Sequence, residues 1–136
     1  MKKLLSIISI YVLLPNVVYA SGCNYVRQKK ISFSSGSVCW SFEGRANTFV
    51  GDFSAGQKVS VRMLGRSANI DDPIPENRRP WEEIGPFVHG PNKFIEGDTE
   101  FTGRLNFTVP YSGKYEVVVQ PCSYWSSQIK LEICAR

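Results

Sequence analysis

The sequence predicts an all-β domain, a two-sheet antiparallel sandwich of jelly-roll-like form built from about eight short strands. Three observations carry this. Beyond residue 20 no stretch repeats its apolar residues at helical spacing, while two-residue alternation recurs along the whole chain. The alternating stretches are short, and Gly, Pro and Ser break them. Each also presents a single apolar face, so no sheet can bury itself, whereas two packed face to face can.

The elements follow in order. Ile31 and Phe33 end a first strand, and Ser34-Ser35-Gly36-Ser37 turns the chain. Val38, Trp40 and Phe42 then alternate with Cys39, Ser41 and Glu43, which makes Trp40 a core residue. A third strand covers residues 48–53, and Ala55-Gly56-Gln57 turns again. Over residues 58–64, Val59, Val61 and Met63 face one side, opposite Lys58, Ser60 and Arg62. Phe87 and Val88 mark a short strand before Gly90-Pro91. Phe101, Leu105, Phe107 and Val109 share a face, as do Tyr115, Val117 and Val119, and finally Ile129, Leu131 and Ile133. Residues 65–85 stand apart as a long polar loop, with three prolines, the charges Asp71, Asp72, Glu76, Arg78 and Arg79, and Trp81.

The first 20 residues read as an export signal. Lys2 and Lys3 precede an apolar run over 4–14, Pro15-Asn16 breaks it, and Val18-Tyr19-Ala20 suits a signal peptidase. The run is too short to span a bilayer, which takes about 20 apolar residues. Cleavage after Ala20 leaves residues 21–136 as a single domain in a bacterial periplasm or secreted. A lipoprotein anchor at Cys23, within Ala20-Ser21-Gly22-Cys23, is the weaker alternative, since it would leave an odd number of cysteines. Removing Lys2 and Lys3 leaves 14 basic against 12 acidic residues, too small an excess to suggest a nucleic-acid partner.

Four cysteines in an exported chain read as two disulfides. A hairpin of the last two strands would separate Cys122 from Cys134 beyond bonding distance, at about 3.3 Å per residue. If the last strand instead runs antiparallel to the first, Cys23 approaches Cys134 and Cys39 approaches Cys122. Those are the expected pairs. Sequential pairing, Cys23 with Cys39 and Cys122 with Cys134, stays open if the hairpin does not form.

Signals for catalysis are poor. His89 is the only histidine, which leaves little for a zinc cage or a triad. Asp71-Asp72 and Glu82-Glu83 are solvated loop charges, and no cofactor or metal site is expected. The aromatic residues Trp81, Tyr124 and Trp125 fall in loops, where they either cap the sandwich or offer a binding platform. The most informative segment is Val109-Pro110-Tyr111-Ser112-Gly113-Lys114-Tyr115-Glu116. Pro110 ends one strand, Gly113 allows a tight turn, Ser112 sits at the tip, and Tyr115 points inward beside Val117.

Three stretches, Gly56-Gln57-Lys58-Val59-Ser60-Val61, Phe87-Val88-His89-Gly90-Pro91 and Pro110-Tyr111-Ser112-Gly113-Lys114-Tyr115-Glu116, resemble the periplasmic inhibitors of lysozyme. The likeness is greatest to the inhibitor of goose-type lysozyme, and it covers most of residues 21–136. A closing Ser-Gly-x-Tyr turn also occurs in sandwich domains appended to secreted proteases. The resemblance implies a stoichiometric inhibitor, with no enzymatic activity, whose loop enters the lysozyme cleft. Ser112 would be the inserted donor near the catalytic carboxylates and Tyr115 the brace, with Tyr111 and Gly113 completing the loop. Lys114, by its position, is a partner for acidic residues of the cleft. The polar stretch 71–85 is longer than in the family, and Arg78, Arg79, Trp81, Tyr124 and Trp125 are candidates for a second contact. Two other functions compete: a carbohydrate- or peptidoglycan-binding module using Tyr124 and Trp125, and an accessory subunit of a secreted or surface assembly.

Overall fold

Val59, Val61 and Met63 are buried while Lys58 and Arg62 on the same strand are exposed, and this sorting repeats along the chain. The structure, a computed structural model, describes residues 25–68 and 71–136. The expected signal segment and Cys23 lie outside the described residues. The strands are β1 (Gln28–Lys30), β2 (Cys39–Gly44), β3 (Thr48–Phe53), β4 (Lys58–Arg66), β5 (Glu82–Glu83), β6 (Gly85–Gly90), β7 (Phe94–Gly97), β8 (Arg104–Thr108), β9 (Gly113–Gln120) and β10 (Gln128–Ala135).

They form two sheets. One has the order β1-β3-β9-β6-β7; the other runs β2-β10-β4, with β5 and β8 sharing the outer edge of β4. All pairs are antiparallel except β1 with β3. Between those two strands the chain passes through β2 in the opposite sheet, so it re-enters the first sheet running the same way.

The inner faces meet in one core. Val59, Val61, Met63, Leu105, Ile129, Leu131 and Ile133 come from one sheet; Phe49, Phe53, Val88, Tyr115, Val117 and Val119 come from the other. Each fully buried aliphatic side chain contributes roughly 1.5–3 kcal/mol. Rings cross the interface directly, Phe42 lying 5.2 Å from Phe49 and Phe107 lying 6.3 Å from Tyr115 between centroids. Trp40 joins this cluster half-buried, stacked on Phe42.

Several expectations change. The strand expected from Phe101 begins instead at Arg104, and Phe101 sits in a turn, 43% exposed, with φ 53°. Asp98 makes that turn: its carboxylate accepts from the Thr102 hydroxyl at 3.0 Å and from the backbone N–H groups of Gly103 and Arg104 at 2.8 and 3.2 Å. A short acidic side chain that satisfies successive backbone donors outcompetes the ladder. Strand β1 ends at Lys30, before Ile31, although Ile31 is buried. Strands β5 and β7 were not legible, and β4 continues through Arg66 into the expected polar loop.

The cysteine pairing is corrected outright. The cystine whose two halves are both described joins Cys39 to Cys134, which excludes both expected pairs and the sequential alternative. The reason is topological. β10 pairs with β2, not with the first strand, and that register sets Cys134 directly opposite Cys39. Nor do the last two strands form a hairpin, because β9 and β10 belong to different sheets. Cys122 is also disulfide-bonded.

Candidate functional site

The segment 109–112 is a corner between sheets. β8 ends at Thr108 in one sheet and β9 starts at Gly113 in the other. Val109 anchors the corner, its N–H donating to the Gln57 carbonyl and its carbonyl accepting from the Gly56 N–H, both at 2.8 Å. Ser112 is tied to the same turn, its Oγ accepting from the Ala55 N–H at 2.9 Å.

Tyr115 braces the corner from inside. Its side chain is fully buried among Phe53, Phe94 and Phe107, at ring separations of 5.8, 5.9 and 6.3 Å. Its hydroxyl donates to the Tyr111 carbonyl at 2.6 Å and accepts from the Tyr111 N–H at 3.3 Å, a bond back across the corner of the kind found in other β-sandwiches. Gly90 makes room for the ring, since a Cβ there would lie 2.2 Å from it. Gly113 has φ +150°, and a Cβ on it would meet Pro91 at 2.9 Å. Thus the three stretches singled out in the sequence, separated by tens of residues, converge on one end of the sandwich.

What this end offers outward is a rigid tip. Tyr111 is 45% exposed, Ser112 and Lys114 are exposed, and Gly113 is half-buried. Because Ser112 accepts a backbone N–H, its own O–H is left to donate outward to an acceptor such as a carboxylate. Beside the tip, His89, Gly90, Lys114 and Glu116 line a notch of about 280 Å³; His89 lies opposite Glu116 in the ladder.

The remaining candidates sit at the other end. β9 runs 8 residues from Gly113 to Gln120, about 25 Å at 3.3 Å per residue, and Tyr124 and Trp125 follow it. Trp125 donates its indole N–H to the Val119 carbonyl at 2.7 Å and packs on the core. Tyr124 lies over Gly65, where a Cβ would come within 2.7 Å of its ring, and donates to Glu82. The Trp125 indole thus directs its polar atom into the fold, while the Tyr124 hydroxyl is held by an exposed carboxylate. Arg79 is buried, with Nε donating to the Ile74 carbonyl at 2.7 Å, a second bond to the Ser67 carbonyl, and Asp72 at 3.5 Å. Trp81 lies under the cations of Arg66 and Lys130, at 4.1 and 4.7 Å. Arg78 alone of this group is exposed. Arg45 bonds Glu76 at 2.6 Å and the Ser126 carbonyl at 2.7 Å, fastening the polar stretch to the β9–β10 connection. That hydrogen bond lowers the Glu76 pKa.

Burial, and then the Glu82 carboxylate, push the Tyr124 hydroxyl up to about 12. The sign is clear: a raised pKa means the protonated phenol favours the fold, an effect present below the ordinary pKa near 10 and lost as pH rises toward 12. A tyrosinate titration at 295 nm should show a late component near pH 12 that disappears in Tyr124→Phe. A curve unchanged by that substitution would contradict the assignment.

Sequence reasoning missed three contributors to the tip: Ala55, whose N–H holds Ser112; Gly90, which admits the Tyr115 ring; and Phe94, which packs against it. Ala55-Gly56-Gln57 and Gly90-Pro91 carried local turn signals, and Phe94 carried none. Among the described residues no group of three or more His, Cys, Asp or Glu side chains is placed to hold a metal ion, and no helix is long and apolar enough to cross a membrane.

Two crystal structures of periplasmic lysozyme inhibitors of g-type lysozyme superpose on this sandwich. Aeromonas hydrophila PliG does so at TM-score 0.54 and 18% identity, covering 82% of this chain and 97% of its own. Salmonella Typhimurium PliG does so at 0.55 and 18%, covering 82% and 100%. This chain shares their fold. A mutant of Escherichia coli PliG, also an inhibitor of g-type lysozyme, matches at 0.52 and 16%, covering 82% and 100%. No family model matches the chain, and no curated protein sequence does. The likeness therefore covers 82% of the chain, at an identity too low to transfer residue roles by position alone.

Proposed function

We propose that this protein is a periplasmic, stoichiometric inhibitor of lysozyme, directed at the goose type, and that it blocks the active-site cleft with the corner around Ser112. In this reading residues 1–20 are the cleaved export signal and residues 21–136 the working domain. The observation that carries it is the convergence of the three stretches on one exposed corner, braced by Tyr115, in a fold shared with PliG proteins. A tip held by its own backbone and side-chain bonds loses little conformational freedom on docking. Ser112 supplies the donor aimed at a catalytic carboxylate, and Tyr111 and Lys114 flank it. The protein acts by occupying a cleft, with no chemistry of its own.

Purified residues 21–136 should abolish lysis by goose-type lysozyme at equimolar ratio while affecting chicken-type and invertebrate-type enzymes less. No loss of activity in any of the three would sink the proposal. Ser112→Ala should raise Ki roughly 10- to 100-fold, the range for a hydrogen bond to a charged group, with the fold retained by circular dichroism. Unchanged inhibition would remove Ser112 from the mechanism and leave the rest standing.

A further inference from the structure

The end of the sandwich that carries the Ser112 corner also gathers three exposed lysines. Lys58 opens β4 opposite Thr108, one residue before the buried anchor Val109. Lys114 follows Gly113, and Lys93 lies two residues after Pro91, which packs on Gly113. All three lysines are exposed, and among the described residues none has an ion-pair partner within 4.0 Å. Acidic groups near these lysines include Asp52, across the ladder from Lys114, Glu116, two residues further along β9, and Glu96 on β7. The three ion pairs among the described residues lie away from the tip: Arg45 with Glu76, Arg79 with Asp72, and Lys130 with Glu43.

Lys93 adds a second observation. The β6–β7 turn places Asn92 at φ 57° and Lys93 at φ 61°, both in the left-handed region, and the Phe94 N–H closes it onto the Pro91 carbonyl. Two-residue hairpin turns of this geometry favour Asn followed by Gly. Here a lysine occupies the position where glycine would be unstrained. Backbone strain of this kind concentrates where a side chain is needed.

We infer that Lys58, Lys93 and Lys114 form a cationic rim around the Ser112 tip that recognises an acidic cleft and steers its approach. The inference rests on the inhibitor reading and adds to it the electrostatic character of the target surface. The rim acts mainly on association, because exposed charges change encounter rates more than they hold a formed complex.

Association of the full mature chain with immobilised goose-type lysozyme, followed at 50 and 500 mM NaCl, tests it. The wild-type association rate should fall about tenfold or more across that range, as the screening length shrinks to a few ångströms. Lys58→Glu with Lys93→Glu should slow association about tenfold at 50 mM NaCl, with dissociation changed less than about twofold and the difference lost at 500 mM. Arg27→Glu with Arg104→Glu, an equal change in net charge away from the tip, should slow it less than about threefold. A salt-independent wild-type rate overturns the rim and leaves the inhibitor reading intact, as does equal slowing by the two charge pairs. Absence of binding by the wild type overturns both. Thermal unfolding of each variant checks that it is folded; the wild-type salt series decides the matter even if one is not.

Discussion

Replacing Cys39 and Cys134 together by serine is expected to destabilise the folded protein by about 3–4 kcal/mol. The bond spans 95 residues of chain, and closing a loop of that length restricts the unfolded ensemble strongly. Without any other link the loop-entropy figure would be about 4.7 kcal/mol; the disulfide at Cys122 already restrains the chain, so less is lost. The folded state should change little. On either side of the bond, Trp40 pairs with Ile133 and Lys58 with Arg136 through backbone bonds that do not depend on sulfur. Urea unfolding should therefore show a lower midpoint together with a steeper slope, since an untied unfolded chain exposes more surface. A loss under about 1 kcal/mol, or a changed near-ultraviolet spectrum in the absence of denaturant, would refute this account of the bond.

That cystine also marks the limit of what the sequence makes legible. Alternation is a local property, so it located the cores of β3, β4, β9 and β10 and told inward from outward on β4, β9 and β10. Tyr115 was placed beside Val117 on the inner face, and both are fully buried. Which strand neighbours which is not local. Nothing between Cys39 and Cys134 states that β10 lies between β2 and β4, so reasoning from the nearest plausible partners paired each cysteine wrongly. Phe101 failed for a different reason: Asp98, three residues earlier, spends its carboxylate on backbone donors and turns the chain before a strand forms. The polar stretch 65–85 offered too little apolar pattern to reveal β5, a two-residue strand whose exposed glutamates pair with the end of β4.

The corner shows the same division. Its turn chemistry was readable from Pro110, Ser112 and Gly113, and the inward direction of Tyr115 from the period of β9. The bonds that make it rigid come from elsewhere in the chain: Ala55 lies 57 residues from Ser112, and Gly90 and Phe94 come from the β6–β7 hairpin. A tight turn is common in sandwiches. What distinguishes this one is that its tip is fixed from three directions while its outward side carries an available hydroxyl, an aromatic ring and a lysine.

In the proposed inhibitor Tyr115 would link stability to function, and its substitutions separate the two. Tyr115→Ala should cost about 3–5 kcal/mol, because it deletes a fully buried ring from a cluster with three other aromatics. Inhibition should vanish with the fold. Tyr115→Phe is the sharper test, since the ring packing with Phe53, Phe94 and Phe107 survives and only the bonds to Tyr111 go. The Tyr111 backbone lies near water, so that loss should cost only about 1 kcal/mol of stability. Its effect on inhibition should be larger, about tenfold in Ki, because an unbraced corner must be ordered on docking. The mechanism further requires the effect to pass through Ser112: adding Ser112→Ala to Tyr115→Phe should cost less than the two single losses combined. Full additivity would mean that the tyrosine does not act by positioning the serine, and a Tyr115→Phe protein that inhibits as well as the wild type would show that the hydroxyl brace contributes nothing to the rigid tip.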